Sequence, residues 1–101
     1  MENFFQLLGL ANKAGHCVTG EDNLIKHIRN NKVKLVIVST EASLNTKKLY
    51  SDKCKFYNVK CVEQGNTYDI SQALGKNNRV AVGISDKGFT KGLLGKLTNK
   101  E

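Results

Sequence analysis

The stretch Thr19-Gly20-Glu21-Asp22-Asn23-Leu24-Ile25-Lys26-His27-Ile28-Arg29-Asn30-Asn31-Lys32-Val33-Lys34-Leu35-Val36-Ile37-Val38 carries two hydrophobic patterns in succession. Leu24, Ile25 and Ile28 recur at helical spacing, which predicts an amphipathic helix opening at Thr19-Gly20. Thr19 is the expected N-cap, with Asp22 three residues on as its partner. Asn30-Asn31 breaks the pattern. Leu35 to Val38 then runs apolar without interruption, as a strand buried on both faces does.

Upstream, Asn3 and Gln6 have the spacing of a capping box, and Phe4, Leu7, Leu8, Ala11 and Ala14 follow at helical spacing until Gly15. Lys13 falls in the last turn, where the helix dipole favours a cation. His16-Cys17-Val18 is a short strand candidate. Downstream, a polar loop leads into a third helix over about 45–57, with Leu49, Tyr50, Phe56 and Tyr57 expected inside and Lys47, Lys48, Lys53 and Lys55 outside. Val59 to Val62 reads as a strand, and Glu63 to Tyr68 as a loop carrying Gly65-Asn66. Asp69 is the expected cap of a short fourth helix ending at Gly75, with Gln72 as its partner. Val80 to Ile84 is a second unbroken apolar strand. Asp86 caps a last helix with Phe89, Leu93, Leu94 and Leu97 on one side. Helices and strands alternate throughout, which predicts an α/β fold: a three-layer α/β/α sandwich around a small sheet. In such folds ligands gather beyond the carboxyl ends of the strands.

The 101 residues suffice for one core, so the expectation is a single domain over 1–101. No apolar run approaches the ~20 residues of a membrane span, and Met1-Glu2-Asn3 offers no basic leader, so the expected location is the cytoplasm and no membrane partner is expected. Cys17, Cys54 and Cys61 form no CxxC pair, and the seven-residue step from Cys54 to Cys61 is not a usual ligand spacing. They are expected to be buried free thiols, with no metal and no cofactor. Sixteen Lys and Arg against nine Asp and Glu give +7, the charge of a domain that meets a polyanion.

Enzyme signatures are missing: there is no GxGxxG, Walker A, GxSxG or HExxH. His16 and His27 lack an acidic partner at helical spacing, and neighbouring His16 and Cys17 point apart if both lie on a strand. The chain therefore reads as non-enzymatic. The positive signal lies in the opening stretch, where Lys26, Arg29, Lys32 and Lys34 crowd together. On a helix Asp22, Lys26 and Arg29 share one face, bordered by Asn23. Gly20 permits close approach to a helix N-terminus whose free N–H groups favour anions. A plain solvated face with an Asp22–Lys26 pair is the alternative reading of the same residues.

Gly20-Glu21-Asp22-Asn23-Leu24-Ile25-Lys26 followed by Leu35-Val36-Ile37-Val38 resembles the kink-turn RNA-binding ribosomal-protein superfamily, and within it the bacterial YlxQ type. Leu7-Leu8-Gly9-Leu10-Ala11, Ser39-Thr40-Glu41-Ala42-Ser43, Asn45-Thr46-Lys47-Lys48-Leu49, Asp52-Lys53-Cys54, Ala73-Leu74-Gly75-Lys76 and Asp86-Lys87-Gly88-Phe89 extend the resemblance over nearly the whole chain. It implies an α/β/α sandwich with a mixed four-stranded sheet, and a protein that holds a sharply bent, G·A-paired RNA element. The family's helix start reads Gly-x-Asn-Glu-x-x-Lys. Gly20 and Lys26 match it, while Asp22 stands at the Asn position and Asn23 at the Glu position. Ser43-Leu44 replaces the acid and proline frequent in the second contact loop.

The resemblance and the charge together imply an RNA-binding protein for structured or ribosomal RNA, acting as a monomer. Gly20, Asp22, Asn23 and Lys26 are the expected contacts to bases and nearby phosphates, and Arg29, Lys32 and Lys34 the further phosphate contacts. Ser43 lies in the second contact loop, where Glu41 is expected to shape the backbone as a helix-capping acid. Tyr68 is either a platform for an unpaired base or a loop anchor, and Arg79 is expected to flank the same surface. The terminal Lys100 has no expected contact. The rival function is a protein-interaction module whose basic surface meets an acidic protein.

Overall fold

The computed structural model describes residues 3–98; Met1-Glu2 and Lys100 lie outside the described residues. Along them run α1 (Phe4–Lys13), β1 (Cys17–Val18), α2 (Glu21–Arg29), β2 (Leu35–Val38), α3 (Leu44–Tyr57), β3 (Lys60–Glu63), α4 (Thr67–Leu74), β4 (Ala81–Ile84) and α5 (Lys87–Thr98). The strands form one sheet in the order β1-β4-β2-β3. β2 pairs with β3 in parallel and with β4 antiparallel, and β1 lies antiparallel to β4, so the sheet is mixed.

The two-residue period of a strand distributes the apolar run of β2 between two cores. Leu35 and Ile37 join Leu8, Ile70, Leu74, Val82, Ile84 and Leu93 beneath α1, α4 and α5. Val36 and Val38 join Leu24, Ile28, Val33, Tyr50 and Cys54 beneath α2 and α3. The result is the three-layer α/β/α sandwich. Each fully buried aliphatic side chain contributes about 1.5–3 kcal/mol, so the helical stripe Leu24–Ile28 is what holds α2 on the sheet. It packs tightly: a Cβ on Gly83 would stand 2.5 Å from Leu24 Cδ1.

Local signals act as expected at both ends of the chain. Asn3 and Gln6 form the reciprocal capping box, and Asp86 Oδ2 accepts from Phe89 N at 2.8 Å. Four expectations are corrected. Thr19 does not cap α2; Gly20 is the N-cap, at φ +90°, a conformation that excludes ordinary L-residues, and no side chain caps the helix. α3 begins at Leu44 rather than Asn45, because Ser43 Oγ accepts from Thr46 N at 3.1 Å. Asn66, not Asp69, caps α4, accepting from Asp69 N at 2.7 Å, so the expected loop shrinks and Tyr68 sits in a helical first turn. Phe56 faces outward, 79% exposed, because Tyr50 and Cys54 define the inner face of α3.

The three cysteines are free thiols, but only Cys54 is buried as expected; Cys17 and Cys61 are half-buried and pack against the margins of the two cores. Burial pushes the Cys17 thiol up to about 12. A hydrogen bond with Cys61, and then burial, raises Cys54. No described helix is long and apolar enough to cross a membrane.

Candidate nucleic-acid interface

The two ends of the sheet differ in what they gather. At one end Ser39 N donates to Val80 O at 2.7 Å, where β2 and β3 finish and β4 begins. At the other, Lys34 N donates to Ile84 O at 2.7 Å, where β2 begins and β4 finishes. β1 runs from beside Ile84 toward the first end and delivers Gly20 into a cleft with Val80 and Ala81. α3 and α4 follow β2 and β3 directly, so α2, α3 and α4 all start at this end and present their N-termini there.

Side-chain bonds lock these loops together. Glu41 Oε1 accepts from Thr67 N at 3.0 Å, tying the loop after β2 to the first turn of α4. Ser39 Oγ lies 2.9 Å from Thr67 Oγ1, and Thr40 N donates to Gly65 O at 2.8 Å. Glu41 therefore works as a capping acid. Ser43 is likewise occupied as the α3 cap, its hydroxyl donating to Thr46 Oγ1 at 3.0 Å.

Gly20 opens α2 without a side-chain cap, which leaves first-turn N–H groups uncommitted. Glu21 and Asp22 occupy that turn, so carboxylate acceptors stand beside the free donors. Asn23 Nδ2 donates weakly to Thr19 O at 3.4 Å. Asp22, Lys26 and Arg29 are exposed, and none has an ion-pair partner among the described residues. The Asp22–Lys26 pair of the alternative reading is thus not formed. Lys32 and Lys34 lie past the C-terminus of α2, about 13 Å of helix away from Gly20. The structure places them at the opposite end of the sheet and does not bring them to the Gly20 cleft.

Arg79 belongs to the Gly20 cleft, a space of about 130 Å³ also lined by Glu21, Thr46, Tyr50 and Asn78. Its main chain is held by Ser71, whose Oγ accepts from Arg79 N at 2.8 Å. Its Nε is buried and has no hydrogen-bond partner among the described residues. Burial, with the Glu21 carboxylate next in weight, pushes Tyr50 up to about 12, so it stays a neutral hydroxyl on the cleft floor. Asn78 also lines a second cleft of about 420 Å³ with Tyr68, Ser71, Gln72 and Lys76. Tyr68 is 69% exposed, and its hydroxyl accepts from Gln72 Nε2 at 3.2 Å. The 78–79 turn thus joins the α2 side of the surface to the α4 side. Asn78 had no motif to flag it, Thr46 stood only within a resemblance stretch and Gln72 only as an expected capping partner; the folded chain puts Thr46 and Asn78 beside Gly20, and Gln72 and Asn78 beside Tyr68.

The model of the ribosomal protein L7Ae/L30e/S12e/Gadd45 family matches residues 2–94. The chain belongs to that family. It is 43% identical over 91 residues to the RNA-binding protein YlxQ of Bacillus subtilis (strain 168), covering 90% of this chain and 91% of that protein. It is 47% identical over 85 residues to the RNA-binding protein YlxQ of Enterococcus faecium, covering 84% and 82%. A solved structure of a protein with unknown function from Bacillus halodurans superimposes with a TM-score of 0.91 at 38% identity, over 95% of this chain and 97% of that one. The 15.5kD RNA binding protein of Giardia lamblia superimposes with a TM-score of 0.77 at 17% identity, over 93% and 83%, and so shares the L7Ae-type fold.

Proposed function

We propose that this L7Ae-family chain is a non-enzymatic, cytoplasmic RNA-binding protein that holds a structured, kink-turn-like RNA, ribosomal RNA included, as a monomer. The observation that carries the proposal is the uncapped start of α2 at Gly20, sharing a cleft with Arg79. The YlxQ relatives, both described as RNA-binding proteins, support the same reading.

A bent RNA exposes base edges that a straight duplex hides. The free α2 N–H groups donate to base or sugar oxygens, while Glu21 and Asp22 accept from base amino groups. With two carboxylates in the first turn, that turn suits base edges better than phosphate. Lys26, one turn further on, meets the backbone, and Arg79 adds positive charge at the Gly20 cleft. Tyr68 offers an aromatic face for an unpaired base. Ser43 contributes by holding α3 in place rather than by a free hydroxyl.

The test is a titration of one kink-turn RNA and one straight duplex of equal length over a range of salt. The kink-turn RNA is expected to bind more tightly, with a log–log salt slope of roughly −3 to −5 for four to six phosphate contacts. Equal affinity for the two RNAs, or a flat salt response, contradicts the proposal.

A further inference from the structure

α2 and α3 lie side by side on one face of the sheet, and the surface between them is hollow. The hollow is a groove of about 690 Å³ lined by Asp22, Ile25, Lys26, Arg29, Asn30 and Lys53. Its upper end is the first turn of α2, at the Gly20 end of the sheet. From Asp22 to Arg29 it descends about 10 Å along the helix, away from the clefts. Lys53 enters from α3; its stretch Asp52-Lys53-Cys54 belongs to the family resemblance, but nothing in the sequence assigned it an RNA contact.

The charge of the groove is uneven. Asp22 at the top is its one acid, against three cations. Lys26, Arg29 and Lys53 have no ion-pair partner among the described residues. The neighbouring acid on α3, Asp52, is taken up by Lys48 at 3.2 Å. Arg29 and Lys53 therefore face each other's helix as uncompensated cations on a concave surface, and Ile25 supplies an apolar wall. An elongated polyanion satisfies this arrangement; a base edge does not, because apart from Asn30 the lower half offers charge and little amide or carboxylate chemistry.

We infer that this groove is a backbone track for the double-stranded arm of the RNA, and that Lys53 is an RNA-contacting residue acting on phosphate together with Arg29. The inference rests on the reading of α2 as an RNA-binding helix and adds the direction in which the RNA leaves: down the α2–α3 side, not across Tyr68. Charge complementarity and continuity with the Gly20 cleft point to the same occupant. Phosphate contacts made there position the arm without reading its sequence.

The experiment compares two RNAs with the same bent core, one with a minimal arm and one with an arm of about one helical turn. Wild type, Lys53→Gln, Lys55→Gln and Lys26→Ala are titrated with both, and circular dichroism confirms the fold of each variant. Lys55 is exposed on α3, two residues from Lys53, and so points to another side of the helix. Lys53→Gln is expected to weaken the long-arm RNA about three- to tenfold and to reduce its salt slope by about one, with little change for the short-arm RNA. Lys55→Gln is expected to leave both nearly unchanged. If Lys53→Gln matches Lys55→Gln, or acts equally on both RNAs, while Lys26→Ala still weakens both, the track is wrong and the α2 site stands. If Lys26→Ala weakens neither RNA, the α2 reading fails and the track falls with it.

Discussion

The two ends of α2 carry similar numbers of polar groups and yet are built for different tasks. The N-terminal end opens on a glycine at φ +90°, lacks a side-chain cap among the described residues, and borders a cleft that Arg79 lines. The C-terminal end closes conventionally: Asn30 N donates to Lys26 O at 3.0 Å, Lys32 N donates to His27 O at 2.8 Å, and Lys34 enters the sheet through Ile84. One end leaves donors unused; the other uses them to return the chain to β2. A basic residue past the second end, such as Lys34, adds to the overall field, while Lys26 and Arg29 stand on the helix face that leads down from the first end. Net charge alone therefore does not locate a binding surface; unspent hydrogen-bonding capacity does.

The harshest way to break this contrast is Gly20→Val. A β-branched residue at φ +90° is strained wherever it has room, and there is room here, since the nearest atom to an added Cβ is Asn23 Cβ at 3.9 Å. The expected cost is about 1–3 kcal/mol of stability, together with a loss of RNA affinity of about tenfold or more as the first turn of α2 shifts. Urea unfolding and an RNA titration of the same preparation check both. Normal affinity in a destabilised variant would mean that the start of α2 does not touch RNA.

The smallest effect is expected at the cysteines, which belong to the cores and not to the clefts. Replacing Cys17, Cys54 and Cys61 together by Ala should leave RNA affinity unchanged and lower the denaturation midpoint, because the lost thiols pack against both clusters. A large affinity loss with stability retained would show that a thiol supports the interface directly.

How much of this was legible beforehand depended on the range of the interaction. The β2 run, the Asn3–Gln6 box and the Asp86 cap are local patterns, and they form as written. Thr19 and Asp69 were equally plausible caps by spacing, but Gly20 and Asn66 hold those places. At α2 the backbone angle decides between them, and at α4 the Glu41 bond to Thr67 N pins the helix start. Phe56 looked like a core residue by composition, yet the inner face of α3 follows Tyr50 and Cys54. For the candidate site, the family pattern pointed to Gly20 and Lys26. The grouping of Lys32 and Lys34 with them came from proximity in sequence, which a helix about 13 Å long undoes. Asn78 and Lys53 arrive from distant segments; the helical pattern set Lys53 on the outside of α3, but no local pattern could place either residue beside α2.

The most direct test of the account is a matched pair of charge removals, Lys26→Ala on the exposed face of α2 one turn below Asp22 and Lys34→Ala past the end of the helix, titrated against one kink-turn RNA at physiological salt. Each removes one exposed positive charge, so screened long-range effects are alike and small. Lys26→Ala is predicted to weaken binding by about 1–3 kcal/mol and Lys34→Ala by well under that, with both proteins folded by circular dichroism. Equal losses from the two substitutions would contradict the assignment of the exposed α2 face that starts at Gly20 as the recognition surface.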